Sequence, residues 1–308
     1  MKSIHKLFRY ISDPKYRFII NDGLHLYSLL SDEKYLKKKF KNRLGYELNL
    51  NSPSTFNEKL QWLKIHDRNP LYHTLVDKIK VKEYVSAKIG EEYIIPTYGI
   101  WNKVEEIDWK TLPDSFVLKV SHDSGGVFIC KDKNKVDLNN IASIINEHLR
   151  RDYYLSCREW PYKNLERKVL AEQLLVDNRS DNGDLIDYKF YCFNGCPTYL
   201  YVSQGLSNHS TAKISFLDLD WNLAPFGRDD YDSFVIPPEK PPCLQEMIDI
   251  ASTLANGMPF VRVDLYNVNN KIYFSELTLY PCSGMMPFSP PEYDKALGDL
   301  LDLTIEKP

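Results

Sequence analysis

The sequence predicts an α+β fold that is rich in antiparallel strands and is preceded by a helical section. Apolar residues in the region 1–75 recur at spacings near three and four, which is typical of amphipathic helices. Beyond that region, short apolar runs alternate with polar connections that contain glycine and asparagine, which is typical of strands joined by turns. We therefore expect a basic helical section over residues 1–75 and a second domain over 76–308, divided into parts 76–168 and 169–308.

Helix boundaries are marked by two local signals. Thr55 precedes an apolar repeat, and Glu58 follows it by three residues. This spacing predicts a capping box, in which each of the two side chains bonds to the backbone N–H of the other residue. A further helix is predicted over 77–89, because Gly90 follows it as a stop signal.

Nine segments have the length and composition of strands. They are residues 93–99, 116–120, 127–130, 169–175, 187–193, 198–202, 213–218, 260–266 and 272–277. Helices are predicted over 139–150 and 244–256, where apolar residues share one face. The proline-rich residues 229–242 predict a surface loop.

The composition excludes several classes of protein. A net charge of -3 provides no overall positive field of the kind that nucleic-acid binding requires. The six cysteines lack the paired spacing of a zinc site, so we expect free thiols. The first residues lack the apolar core of a signal peptide, and no segment approaches the roughly 20 apolar residues of a membrane span. We therefore expect a cytoplasmic protein.

A basic run is the local exception to this charge balance. Its members are Lys34, Lys37, Lys38, Lys39, Lys41 and Arg43. One interpretation is weak contact with an anionic membrane, peripheral to the inner membrane surface, or with a charged glycan. The other is a solvated helix face, and the sequence leaves both open.

The most informative segment is 259–286, which contains the two strands of a predicted hairpin. Arg262 and Asp264 are two residues apart and share one strand face. A five-residue turn places Arg262 opposite Glu276 and Asp264 opposite Phe274, so that the three charges lie on one face. A four-residue turn breaks this parity, because a slip of one residue reverses every side chain. The prediction therefore requires an odd turn or a bulge.

This hairpin supplies a candidate metal site. Asp264 and Glu276 on facing strands, with the hydroxyl of Thr278 two residues further on, are hard oxygen ligands of the kind that Mg²⁺ prefers. We predict that they hold Mg²⁺ together with the phosphates of ATP. The alternative is a structural ion pair between Arg262 and one of the carboxylates.

A lysine and the glycine-containing loop after it form a second candidate group. Lys119 lies within the apolar segment 116–120, where alternation separates it from Leu118 and Val120. Such a lysine favours an anionic partner, and paired glycines let backbone N–H groups approach phosphate oxygens. The alternative is an ordinary hairpin, in which the loop histidine is a surface residue rather than an acid–base group. The predicted phosphate-binding residues are Lys119, Ser121, His122, Ser124, Gly125 and Gly126.

Polar residues in two further strands complete the predicted nucleotide site. An adenine ring needs backbone groups for its edge and apolar walls for its faces. The predicted adenine-binding residues are Glu172, Gln173, Leu174 and Leu175. Asp187 and Lys189 share a face and supply one acceptor and one cation, although a cross-strand salt bridge is the alternative.

These motifs occur in the order found in a known family. They are KVSHDSGG, LAEQLL, DYKFYCFNG, RVDLY and FSELTLYPCSGM, within about 56–288. The ordered set resembles the ATP-grasp proteins of the TupA-like type and is much more specific than any single motif. The resemblance implies an ATP-grasp fold, in which two α+β subdomains hold a nucleotide between them. It also implies a setting in bacterial surface-polysaccharide, capsule or teichuronopeptide biosynthesis.

The resemblance also implies a role for each candidate residue. Lys119 and Lys189 match the lysines that bind phosphates, and Arg262 matches the arginine that steadies the transferred phosphoryl group. Asp264 and Glu276 match the magnesium ligands. Lys119, Lys189 and Arg262 are therefore the predicted catalytic residues.

Two features depart from the wider family pattern. Thr278 stands where ATP-grasp proteins usually have asparagine, so the number of bound metal ions is left open. The helical section stands where an α/β domain usually precedes the ATP-grasp domain, so the substrate half cannot be inferred from relatives that have that domain.

The implied reaction joins a carboxylate to an amine at the expense of ATP, with Mg²⁺, through an acyl phosphate. The expected carboxylate is a uronic acid of a surface glycan or its precursor, or alternatively an amino acid. The first alternative activity is a glycosyltransferase, for which Asp218-Leu219-Asp220 spells a D-x-D metal motif. The others are an ATP-grasp kinase, whose phosphoryl group stays on the product, and a nucleotide-binding module without catalysis.

Overall fold

A computed structural model describes residues 2–177, 185–205 and 212–303, with side chains from residue 5 onward. The described helices are α1 (Lys2–Ser12), α2 (Pro14–Gly23), α3 (Asp32–Leu44), α4 (Phe56–His66), α5 (Leu71–Val76), α6 (Lys80–Ile89), α7 (Leu138–Arg150), α8 (Tyr153–Cys157), α9 (Leu244–Ala255) and α10 (Glu292–Leu300). The described strands are β1 (Thr97–Trp101), β2 (Phe116–Val120), β3 (Val127–Cys130), β4 (Val169–Glu172), β5 (Asp187–Phe193), β6 (Cys196–Gln204), β7 (Lys213–Asp218), β8 (Gly227–Arg228), β9 (Phe260–Val268), β10 (Lys271–Thr278) and β11 (Phe288–Ser289). The predicted α+β class is confirmed.

The strands form two main sheets, and every strand pairing in them is antiparallel. The smaller sheet has four strands in the order β1-β4-β2-β3. The larger sheet has five strands in the order β10-β9-β5-β6-β7. Strands β8 and β11 pair separately.

The four-stranded sheet packs one face against α7. Leu118 and Val120 of β2 share a buried cluster with Ile141 and Ile145 of α7. Because successive side chains on a strand alternate between faces, Lys119 lies on the opposite face of the sheet from Leu118 and Val120. Because the apolar face packs against α7, Lys119 points away from this core.

The five-stranded sheet packs against helices from both ends of the chain. Val261 and Val263 of β9 share one buried cluster with Met247 and Leu254 of α9. The same cluster includes residues of the helical section, namely Phe56, Leu60, Leu63, Tyr72 and Leu75. Helices α4 and α5 thus complete the core of this sheet, and the domain boundary near residue 75 stays a prediction.

Several local predictions are confirmed, and the ends of some strands differ. The capping box forms, because Thr55 Oγ1 accepts from the Glu58 N–H and Glu58 Oε2 accepts from the Thr55 N–H, both at 3.2 Å. Gly90 ends α6 with φ +113°. The strand predicted over 169–175 ends at Glu172, because the Gln173 N–H leaves the ladder and donates to the Pro96 carbonyl at 3.0 Å.

The strand predicted over 93–99 begins only at Thr97, because a single 3-10 turn occupies Glu91–Tyr93. The strand predicted over 198–202 is longer and spans Cys196–Gln204. The residues of the predicted loop 229–242 form no helix or strand in the described chain, as expected from their prolines.

A buried polar network joins α4 to the segment after β10. The fully buried Lys64 donates from Nζ to the Ser283 carbonyl at 2.8 Å and to the Cys157 carbonyl at 3.1 Å. The Ser283 hydroxyl donates to Glu159, whose side chain is also buried. Gln61 donates to the Gly284 carbonyl at 2.6 Å. Two side chains of α4 therefore hold a segment whose Ser283 has a left-handed φ of +56°.

We expect Lys64→Met to lower the free energy of unfolding by about 3 kcal/mol, because Glu159 would be left buried without its neighbouring cation. The double variant Lys64→Met/Glu159→Gln should lose less than the sum of its single changes. Urea unfolding followed by circular dichroism measures both values. The exposed lysine variant Lys103→Met is the control. A Lys64→Met variant as stable as this control would contradict the role of the network.

Candidate functional site

A cleft of about 540 Å³ is lined by side chains from both sheets and from the start of α6. The charged lining residues are Lys78, Lys82, Lys119, Glu172, Asp187, Lys189 and Glu276. Apolar lining residues include Val81, Ile94, Ile95, Val127, Ile129 and Phe274. The cleft thus combines apolar walls with charges of both signs, which is the composition expected for a nucleotide site.

The β9–β10 hairpin sets the register of one side of this cleft. Val268 pairs with Lys271, so the turn has only two residues, Asn269 and Asn270, with φ values of +52° and +65°. Two positive φ values are typical of a type I′ turn, a common connection in tight hairpins. The five-residue turn is therefore wrong.

A bulge at Ser275 restores the parity that the two-residue turn would break. Phe274 pairs with Leu265, but Glu276 pairs with Asp264 and Thr278 pairs with Arg262. The predicted pairs, Arg262 with Glu276 and Asp264 with Phe274, are each displaced by two positions. The acidic and hydroxyl groups still reach one face, because the bulge adds one residue to β10.

Arg262 joins the three predicted metal ligands. Its Nη2 donates to Asp264 Oδ2 at 2.6 Å, to Glu276 Oε1 at 3.1 Å and to Thr278 Oγ1 at 3.0 Å. Its Nε donates to Asp264 Oδ1 at 2.7 Å, which makes the contact between Arg262 and Asp264 bidentate. The ion pair predicted as the alternative therefore forms, and it involves the same carboxylates that are predicted to bind the metal ion.

Lys189 on β5 provides the second cation of this cluster. Its Nζ donates to Asp264 Oδ2 at 2.8 Å and to Asp187 Oδ1 at 3.0 Å. The predicted shared face of Asp187 and Lys189 is therefore confirmed, and a cross-strand salt bridge with Asp264 accompanies it. Asp264 is fully buried and contacts both Lys189 and Arg262.

The charges in this cluster shift one another's pKa values. Burial would lower the pKa of Lys189, but Asp264 and Asp187 outweigh it and raise that pKa. Burial raises the pKa of Asp264, and the charges of Arg262 and Lys189 oppose this shift. Burial would likewise raise the pKa of Glu276, but Arg262, Lys189 and Lys78 lower it to about 2. These cations favour the ionised form of Glu276, and its side chain, which is 45% exposed at the cleft, is accessible.

The residues at this position fit a magnesium ion. Two carboxylates and a hydroxyl converge within hydrogen-bonding distance of one guanidinium nitrogen, and oxygen donors of this kind suit Mg²⁺. In the part of the chain that the structure describes, no group of three or more acidic, histidine or cysteine side chains forms a complete metal site. Asp264, Glu276 and Thr278 would thus hold the ion together with oxygens of a bound nucleotide.

Lys119 faces the cleft from the four-stranded sheet, where it shares Glu172 with a second lysine. Lys119 Nζ lies 2.5 Å from Glu172 Oε2, and Lys82 Nζ lies 2.5 Å from Glu172 Oε1. Burial would raise the pKa of Glu172, but Lys119 and Lys82 outweigh it and lower that pKa. Glu172, placed by the sequence in the adenine site, therefore holds two lysines beside the cleft.

Lys78 and Lys82 are site residues that sequence reasoning missed. Both line the cleft, and Lys78 Nζ donates to the Asp123 carbonyl in the glycine-containing loop. The missed signal was their spacing of four residues at the start of the helix predicted over 77–89, although α6 begins only at Lys80 and Lys78 lies in the turn before it. Burial lowers the pKa of each lysine, and the charges of Glu276 and Glu172 respectively oppose the shift.

The glycine-containing loop contributes fewer side chains than predicted. Ser121 and His122 are buried, with the Ser121 hydroxyl donating to the Glu166 carbonyl at 3.1 Å and His122 Nε2 lying 3.1 Å from the Arg151 carbonyl. These contacts hold both side chains against the protein scaffold. Gly125 lines the cleft with φ +92°, a conformation that favours glycine. Ser124 is exposed beside it, whereas Gly126 is buried.

Three of the predicted adenine-binding residues, Gln173, Leu174 and Leu175, follow β4 and are not among the residues that line the cleft. Leu175 packs with Ile95 and Val268 in a small buried cluster. Gln173 is fixed by its backbone bond to Pro96. Leu174, which lies between Gln173 and Leu175 in the sequence, is half-buried. Their roles toward a nucleotide stay predictions.

We expect the contribution of Glu276 to stability to depend on pH. Because its pKa in the folded protein, about 2, lies below the ordinary value of 4.5, its ionised form stabilises the fold above about pH 4.5. This contribution is lost as the pH falls from about 4.5 toward 2. The melting temperature of the wild type should therefore exceed that of Glu276→Gln at neutral pH, and the difference should shrink below about pH 4.5.

Thermal unfolding between about pH 7 and pH 3 measures this difference, with the exposed Glu92→Gln as control. A constant difference between the wild type and Glu276→Gln across that range would contradict the charge cluster.

Comparisons with known proteins locate the chain in one family. The sequence model of the TupA-like ATPgrasp family matches residues 58–302. Comparison with curated protein sequences finds no significant match.

Among solved structures, the fold is similar to D-alanine-D-alanine ligase from Helicobacter pylori, with 14% identity, 82% of this chain and 70% of that chain covered, and a TM-score of 0.47. It is also similar to the Bacillus anthracis D-alanine--D-alanine ligase complexed with ATP, with 15% identity, coverage of 82% and 72%, and a TM-score of 0.40. A third similar structure is the ATP-grasp ligase PsnB with minimal precursor, Mg and ADP, with 10% identity, coverage of 79% and 63%, and a TM-score of 0.40.

The family match is the decisive finding, because it covers most of the chain. It begins within α4 and extends beyond α10, and it therefore includes both sheets and every residue of the cleft described above. The chain belongs to the TupA-like ATPgrasp family, and its α+β fold is an ATP-grasp fold.

Proposed function

We propose that this protein is an ATP- and Mg²⁺-dependent carboxylate–amine ligase that acts through an acyl phosphate. One observation supports this proposal above the others. Lys119 and Lys82 line the cleft from one side, and Lys189 and Glu276 line it from the five-stranded sheet, where they contact Asp264 and Arg262 respectively, with Thr278 bonded to Arg262. Cations from both sides suit a polyphosphate, and the oxygen donors suit its metal ion.

The reaction needs ATP because hydroxide is a poor leaving group from a carboxylate. Transfer of the γ-phosphoryl group of ATP to a carboxylate oxygen forms an acyl phosphate and releases ADP. An amine then attacks the acyl carbon, loses a proton and expels inorganic phosphate, which leaves an amide. Magnesium, when bound, neutralises charge on the phosphate oxygens.

The residues of this chain would act by position and charge, since no nucleophilic side chain is required. Lys119 and Lys82 would bind phosphate oxygens from the four-stranded side. Lys189 and Arg262 would stabilise the charge that develops on the transferred phosphoryl group. Asp264 holds both of these cations in place before a substrate arrives.

The proposed carboxylate is a uronic acid of a bacterial surface polysaccharide or its precursor, and the partner is an amino compound. An amino acid is the alternative carboxylate. Support for this substrate class comes from the family resemblance of the ordered motifs, not from the geometry of the cleft. The setting in capsule or teichuronopeptide synthesis is proposed on the same basis. A cytoplasmic location, with weak contact between Lys34–Arg43 and the inner membrane surface, is likewise a proposal.

The alternative glycosyltransferase function has less support. Asp218 accepts hydrogen bonds from the Asp220 N–H at 3.0 Å and from the Asn222 N–H at 2.8 Å. Asn222 Nδ2 also donates to Asp218, at 3.0 Å. These contacts are typical of a turn, here at the end of β7, so a structural role accounts for Asp218 in the D-x-D motif without a metal ion.

We expect Lys119→Met and Glu276→Gln each to lower the rate of phosphate release about 10²- to 10³-fold, because Lys119 would stabilise charge on the phosphate oxygens and Glu276 would hold the metal ion. The assay follows inorganic phosphate with MgATP and a panel of uronic acids and amines. Asp220→Asn is the matched control outside the cleft and should retain the full rate. Equal rates for Glu276→Gln and the control would contradict the proposed site.

Phosphate release should require both substrates and should stop when EDTA removes Mg²⁺. Added Mg²⁺ should restore it. A phosphorylated product without inorganic phosphate would favour the kinase alternative. Calorimetry that finds no binding of MgATP to the wild type would exclude ligase and kinase together.

A further inference from the structure

Large apolar side chains are exposed together near the start of the chain. Seven of them within residues 7–29 are between 60% and 98% exposed. They are Leu7, Phe8, Ile11, Ile19, Leu24, Leu26 and Leu29. Elsewhere among the described residues, only Val235 and Ile236 reach a comparable exposure. Exposed apolar residues concentrated in one segment of this kind favour an interaction surface over scattered single exposures.

The first helix divides these residues from its basic side chains. At about 100° per residue, Leu7, Phe8 and Ile11 fall within an arc of about 100° on α1. Lys6 and Arg9 lie outside this arc, so one side of the helix is apolar and the other basic. Tyr10 fixes α1 to α2 by donating from its hydroxyl to Asn21 Oδ1 at 2.7 Å. The apolar side of α1 is thus held outward by the fold.

The charge of this region differs from that of the rest of the chain. Residues 1–45 contain eleven Lys and Arg against four Asp and Glu, a net charge of +7, whereas the remaining residues, with 28 against 38, carry -10. Lys34, Lys37, Lys38 and Lys41 are exposed on α3. An acidic protein therefore concentrates its positive charge in the same region of the chain as its exposed apolar residues.

We propose that α1, the residues that follow it to Leu29, and the basic side of α3 together form a surface that binds an anionic phospholipid bilayer. Leu7, Phe8 and Ile11 would enter the boundary between headgroups and acyl chains, with the basic residues at the headgroups. No described helix is long and apolar enough to cross a membrane. Helix α1, with 11 residues, would lie in the plane of the bilayer.

A bilayer explains both properties of this surface at once. An apolar protein partner would account for the exposed leucines but not for the net charge of +7, and a purely anionic partner would leave the apolar residues in water. This inference deepens the contact proposed for Lys34–Arg43 by adding insertion of α1. It does not depend on the ligase reaction.

Sedimentation of the full chain with vesicles tests the proposal. Vesicles of phosphatidylcholine with about 30% phosphatidylglycerol should bind the protein, and vesicles of phosphatidylcholine alone should bind it at least tenfold more weakly. Raised salt should weaken the binding, because each exposed lysine contributes about fivefold through electrostatic attraction.

Two sets of variants separate insertion from attraction. Leu7→Glu/Phe8→Glu/Ile11→Glu should reduce binding to the anionic vesicles at least tenfold. Val235→Glu/Ile236→Glu changes equally exposed apolar residues elsewhere and should bind as the wild type does. Lys34→Ala/Lys37→Ala/Lys38→Ala/Lys41→Ala should also bind at least tenfold more weakly and with less dependence on salt.

The proposal would be overturned if the wild type did not bind the anionic vesicles, or if the triple variant bound them as well as the wild type does. It would also be overturned if the wild type bound no vesicles but self-associated, and the triple variant did not self-associate. Far-ultraviolet circular dichroism and MgATP binding of each variant confirm that it is folded. Because this surface lies outside the cleft, a wild type that binds vesicles but not MgATP would reject the ligase proposal and leave this one intact.

Discussion

The buried carboxylate of Asp264 is the group on which the rest of the site depends. It is fully buried and accepts hydrogen bonds from both Arg262 and Lys189. A lone ionised carboxylate in such a place would carry a large desolvation cost, which two adjacent cations offset. The same contacts fix the two cations to which we assign the stabilisation of the transferred phosphoryl group, so the stability of the fold and the proposed reaction depend on one cluster.

This cluster in turn depends on the register of the five-stranded sheet. Lys189 of β5 pairs with Asp264 of β9, which pairs with Glu276 of β10. A slip of one residue in either pairing would send one of these side chains to the opposite face. The packing of Val261, Val263 and Leu265 against helices on the apolar face makes such slips costly, because it fixes which side of β9 is buried. The apolar core therefore positions the polar site.

The second side of the cleft is built by different means. Glu172 and Lys119 come from the paired strands β4 and β2 of the four-stranded sheet, and Lys82 comes from α6. Lys78 bonds to the glycine-containing loop and lies close enough to Glu276 to lower its pKa. The two halves of the cleft are thus linked by charge as well as by the polypeptide. In the proposed reaction, charges fixed in this way would stabilise the transition state without a reorganisation cost.

Local patterns in the sequence determined the α+β class, most strands and helices, and the capping box at Thr55. They also identified the face shared by Arg262 and Asp264, because a strand repeats every two residues and a helix every 3.6. The family resemblance supplied the roles proposed for the motifs. It could not supply the contacts that connect them.

The tertiary structure alone decided the bulge at Ser275, the pairing of Lys82 with Glu172 and the burial of His122. Each depends on segments far apart in the chain, whose contacts leave no periodic signal in either segment. The exposure of Leu7 and Phe8 is of the same kind, because a helix pattern shows an apolar side without showing whether the fold covers it. The sequence thus determined which residues share a face, and tertiary packing decided whether each face contacts another segment of the protein or solvent.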